Sequence, residues 1–84
     1  MQTLILNNGA ELANSYAIET AAGLFLYIRN GITLPDAAAL LYDPDVTCRI
    51  VYANGEDSVT FSGYRRLTAV TDEGRGLITA SLKK

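Results

Sequence analysis

The chain has 84 residues, 49% hydrophobic and 19% charged, with seven basic against nine acidic side chains and a net charge of −2. That length holds one domain rather than two, the apolar share excludes a disordered tail, and the weak negative balance argues against duplex nucleic acid and anionic membranes as partners. There is no histidine and a single cysteine, Cys48, which removes Ser–His–Asp and Cys–His catalysis, an internal disulfide and a thiolate zinc set.

Taken in chain order, Thr3 to Leu6 reads as a first strand, closed by Asn7-Asn8-Gly9, residues that tolerate positive φ. The opening MQTLILNNGAEL lacks the basic start and long apolar core of a signal peptide. No apolar run approaches the ~20 residues of a membrane span. From Ala10 to Tyr27 two readings compete. A helix over Glu11–Ala22 is one; the other is a hairpin turning at Thr20-Ala21-Ala22-Gly23. The alternation of Tyr16 and Ile18, then Leu24, Leu26 and Ile28, favours the hairpin. Its second arm, Leu24–Ile28, is apolar on both sides and is expected to be a central strand.

Asn30-Gly31 punctuates, and a short helix over about residues 34–42 follows. Thr33 is suited to cap it, Asp36 stands three residues on near the positive helix end, and Pro35 fits the first turn. Ala37, Leu40 and Leu41 form its apolar stripe, and Asp43-Pro44 stops it. At two and a half turns it has to lie on something, which makes it a plug whose contact edge is the Tyr42-Asp43-Pro44-Asp45 corner.

The rest reads as strand and turn. Cys48, Ile50 and Tyr52 alternate with Thr47, Arg49 and Val51, placing the cysteine among core residues. Asn54-Gly55 is a hairpin turn, and Val59 and Phe61 answer on the returning strand. Ser62-Gly63 permits a bend before a strand from Tyr64 to Val70. Asp72–Gly76 is a further turn, and Leu77 to Leu82 is the last strand. The expected class is α+β: one small, mostly antiparallel sheet, bent or rolled, with one short helix in a single domain spanning 1–84.

No pattern in the chain carries catalytic or cofactor chemistry. Asp43-Pro44-Asp45 lacks the glycine and distal glutamate of a calcium loop, and Gly74-Arg75-Gly76 lacks the length and lysine of a phosphate loop. Glu56-Asp57 and Asp72-Glu73 fall at hairpin tips, where acidic pairs are usually solvated. Arg65 and Arg66 point to opposite faces of a strand, so the two alone make no basic patch, although Arg49 has the option of joining one of them. The chain is therefore read as a non-enzyme without cofactor or metal. Its five tyrosines suit surfaces that are half apolar and half wet, as protein interfaces are. Tyr42, Tyr52 and Tyr64 are candidate contact residues beside the helix end, with Arg66 as their charged neighbour. Thr79 marks a second candidate, the last strand as an exposed pairing edge.

The succession LILNNGAEL, LFLYIRNG, TLPDAAALLYDPD, CRIVYANG and FSGYRRLTAV resembles small proteins encoded in phage and prophage virion gene clusters. The resemblance implies a non-enzymatic virion structural or assembly component, located in the virion or the host cytoplasm. It would work through contacts with itself, as a homo-oligomer, or with a virion protein. A second expectation is a small phage-encoded inhibitor of a host defence enzyme, of the anti-CRISPR kind, in which clustered acidic residues mimic nucleic-acid charge.

Overall fold

The computed structural model describes residues 2–84. The strands are β1 (Gln2–Ile5), β2 (Glu11–Ala13), β3 (Ser15–Thr20), β4 (Gly23–Ile28), β5 (Arg49–Asn54), β6 (Asp57–Ser62), β7 (Arg66–Gly74) and β8 (Leu77–Lys83); the helices are α1 (Leu34–Tyr42) and α2 (Pro44–Thr47). The α+β class holds, and every strand pairing is antiparallel. The single bent sheet resolves into two four-stranded sheets, ordered β2-β1-β5-β6 and β3-β4-β8-β7.

The division happens at one residue. Asn14 alone separates β2 from β3 and adopts φ 52°, a left-handed conformation that asparagine tolerates. The chain turns a corner there and passes from the first sheet to the second, the way strands switch layers in packed sheets. The Asn14 carbonyl accepts the Arg29 N–H at 3.2 Å, fixing the corner to the end of β4.

The hairpin reading of Ala10–Tyr27 is the correct one. β3 and β4 pair from Ser15↔Ile28 to Thr20↔Gly23, with Ala21-Ala22 as the loop. Gly23 is required there: its φ is +141°, and a Cβ would fall 2.5 Å from the Leu82 carbonyl oxygen of the neighbouring β8. β4 is central, between β3 and β8, and it buries Leu24, Leu26 and Ile28 completely.

The helix forms as its end signals dictate. The Asp36 N–H donates to the Thr33 hydroxyl at 3.3 Å, Pro35 occupies the first turn, and Ala37 and Leu41 are fully buried. α1 lies against β7, so it does plug the sandwich. Asp43-Pro44 stops α1 but does not lead to a solvated turn. The Asp43 carboxylate accepts the Asp45 N–H at 2.9 Å and Pro44 starts a second helix, so the same two residues end one helix and cap the next.

Three strand boundaries differ from the sequence reading. Thr47 and Cys48 belong to the end of α2; Cys48 donates its N–H to the Pro44 carbonyl at 3.0 Å and is half-buried rather than aligned with Ile50. Tyr64 and Arg65 precede the strand that begins at Arg66. β7 then runs on through Asp72 and Glu73, with two breaks in register, so the turn is confined to Arg75-Gly76. The last strand is also not an edge: β8 lies between β4 and β7. The free edges are β2 and β6 in one sheet, β3 and β7 in the other.

Candidate functional site

Two surfaces gather the side chains that have chemistry to offer. The first lies at the Gly23 end of the second sheet. Glu19 is in register with Leu24 on the row that faces the core, and its carboxylate accepts the Tyr64 hydroxyl at 2.5 Å. That hydrogen bond to an anion, reinforced by burial and by the negative charge of Glu19, pushes the Tyr64 phenol up to about 12. Tyr64 is buried, and the Lys84 ammonium sits 5.2 Å from its ring centroid in a cation–π contact.

Around this pair opens a shallow cleft of about 680 Å³ whose lining includes Arg66, Lys83 and Lys84. The basic group comes from strand pairing, since Arg66 is directly opposite Lys83. Arg49, which the sequence allowed as a partner for the arginines, stands on the first sheet opposite Ser62.

The second surface is the outer face of the second sheet. Register places two rows across all its strands: Tyr16–Tyr27–Thr79–Thr71, and Ile18–Phe25–Ser81–Ala69. Tyr16 and Tyr27 stack with centroids 4.8 Å apart and planes at 14°. Among the described residues, the outer edge of this ridge is left open: Tyr16 is 38% exposed and Ile18 45% exposed, although both are large apolar side chains. Beside the ridge the small side chains leave a groove of about 440 Å³, lined by Phe25, Tyr27, Ala69, Thr71, Glu73 and Thr79 among others.

The residues singled out from sequence are dispersed. Tyr42 is 76% exposed at the end of α1. Tyr52 is on β5 opposite Leu4, turned toward the core. Tyr64 is buried, lies beneath the Lys84 ammonium and is locked to Glu19. Arg66 belongs to the basic cleft and Thr79 to the groove, where its hydroxyl donates to Glu73 at 3.0 Å. Tyr42, Tyr52 and Tyr64 therefore share no single surface.

Nothing in the sequence marks Tyr16, Ile18, Phe25 and Tyr27 as a contact group by itself. Their one signal is the two-sided apolar character of Leu24–Ile28, which a central strand explains equally well.

Among the described residues, no group of three or more His, Cys, Asp or Glu side chains is placed to hold a metal ion, and no helix is long and apolar enough to cross a membrane. The acidic pairs belong to different sheets, although Gln2, in register with Asn54, lines a cleft together with Leu77. Glu56-Asp57 lies at the β5–β6 hairpin of the first sheet, while Asp72-Glu73 lies in β7 of the second. Comparison with protein-family models, with curated proteins and with solved structures finds no match to this chain.

Proposed function

We propose that the chain is a non-enzymatic virion structural or assembly protein of the phage type, acting through protein contacts that include contacts between its own copies. The observation that carries this reading is the outer face of the second sheet. It holds two stacked tyrosines, an exposed isoleucine and a half-buried phenylalanine, where a freely soluble sheet would place polar residues. Aromatic rings on rigid strands make contact area at low entropic cost.

The inhibitor reading finds less support. A charge mimic needs a marked acidic surface, and nine acidic residues against seven basic are a thin excess for one. The basic cleft of Arg66, Lys83 and Lys84 also opposes it.

Light scattering across a concentration series, combined with affinity capture from a phage lysate and mass spectrometry, tests the proposal. Self-association, or capture of an identified capsid or tail protein, is the expected result. A strict monomer that retains no virion protein overturns it.

A further inference from the structure

The outer face of the second sheet contains both halves of a contact with itself. In each of its two rows the side chains fall from large over β3 and β4 to small over β8 and β7: Tyr16 and Tyr27 to Thr79 and Thr71, Ile18 and Phe25 to Ser81 and Ala69. The large half is a ridge held by the Tyr16–Tyr27 stack, and the small half is the groove of about 440 Å³. We propose that two copies of the chain pack these faces together about a two-fold axis parallel to the strands, the ridge of each filling the groove of the other.

Symmetry and size select that axis. A two-fold lying in the interface along the strands carries β3 over β7 and β4 over β8, so large meets small on both sides. A two-fold across the strands sets ridge on ridge and leaves both grooves empty. The contact is isologous, with each patch meeting its own counterpart.

Charge at one end of the face fits the same arrangement. Arg29 follows Ile28 at the end of the ridge, and Ile28 is in register with Ile78, which faces Asp72 next to Glu73. Arg29 and Glu73 are both exposed at that end, one on the ridge side and the other on the groove side. The axis along the strands exchanges the sides and keeps the ends, so Arg29 of each copy comes to Glu73 of the other. Two opposite-charge contacts close the rim at that end, while Arg66 and Lys83, paired on β7 and β8, stand at the opposite end of the same face.

The available area sets the strength. Four strands of about six residues make a face of roughly 20 Å by 19 Å, about 380 Å² a side and about half of the ~800 Å² per partner of a standard interface. The dimer is therefore weak and transient, formed only as concentration rises. This inference rests on the self-assembly reading above.

Sedimentation velocity over a concentration series, with circular dichroism to confirm folding, provides the test. Arg29→Glu and Glu73→Arg each place like charges at both contacts, and each alone is expected to weaken the dimer at least tenfold. Mixing the two variants is expected to restore it, because both contacts then join opposite charges. Pairing within one chain cannot produce that result. Ser81→Arg, which fills the groove, is expected to abolish the dimer.

If the mixture does not recover, or Ser81→Arg still dimerises, the proposed face is wrong while self-assembly itself stands. A wild type that stays monomeric at every concentration overturns the dimer, and capture of a virion protein then decides the broader reading separately.

Discussion

Along β4 the inward residues Leu24, Leu26 and Ile28 are fully buried, while the outward Phe25 and Tyr27, just as apolar, are only half-buried. The same strand thus carries two apolar faces, one closed by the opposite sheet and one that the described residues leave partly open. The first sheet makes the contrast sharper. Its inward Leu4 and Leu12 are buried, but its outward rows, Ala13–Thr3–Ala53–Ser58 and Glu11–Ile5–Val51–Thr60, contain no aromatic ring. A closed core is enough to fold both sheets, so the aromatic outer face of the second is surplus to folding. That surplus is what assigns it to contact.

Truncation on either side of β4 puts the largest energy on this contrast. Leu26 is completely buried at the centre of the central strand. Leu26→Ala is expected to cost about 2–5 kcal/mol, a large fraction of the stability of so small a domain. Tyr27→Thr, one residue away and pointing outward, is expected to cost about 1 kcal/mol or less and to weaken self-association instead. Urea unfolding compared with light scattering separates the two. Equal stability losses at both positions would mean that the outer face is part of the core after all.

How much of this is legible in the sequence depends on the range of the signal. α1 is legible because its instructions are local: Thr33 caps, Pro35 starts, Asp43-Pro44 stops. The β3–β4 hairpin is legible because alternation on both arms brackets a glycine. Asn14 is not, since a single left-handed residue leaves no trace in hydrophobic periodicity, yet it splits one sheet into two. The interior position of β8 is equally hidden. Leu77–Leu82 carries no charge or proline and reads as a free edge; only the order β3-β4-β8-β7 shows that both sides are occupied. Tyrosine count gave no means of telling the buried Tyr64 from the exposed Tyr42, because the difference is made by partners distant in the chain.

Gly23 tests whether the two faces can be separated at all, since it holds β4 against β8 for both. A Cβ at that position meets the Leu82 carbonyl at 2.5 Å, and φ +141° is strained for any L side chain. Gly23→Ala is expected to cost about 1–3 kcal/mol in backbone strain alone. Displacing β4 from β8 also breaks the outer rows, so this variant should lose stability and self-association together. Hydrogen exchange at the β4 and β8 amides reads the displacement directly. Protection unchanged from wild type would show that the pairing tolerates the methyl group.

The smallest effect belongs to the Tyr64–Glu19 bond, which fastens the inner face at its Gly23 end and leaves the outer face untouched. The Tyr64 hydroxyl donates to the Glu19 carboxylate, and that bond, with burial and the carboxylate charge behind it, raises the phenol from 10.0 to about 12. A proton held more tightly in the folded chain than in the unfolded one stabilises fully below the unfolded value. That contribution is lost as pH rises through the folded value. The Tyr64 contribution should therefore be constant below about pH 10 and decline between pH 10 and 12, with the slope of one proton. Tyr64→Phe removes the bond and the titration together. Its cost near neutral pH is expected to be about 1–2 kcal/mol, and the difference between wild type and variant should shrink across that alkaline window. Thermal unfolding of both proteins from pH 7 to 12 measures it. A gap that stays constant or widens above pH 10 would mean that the phenol is not held by Glu19 in solution, and the inner face would then need another fastening at this end.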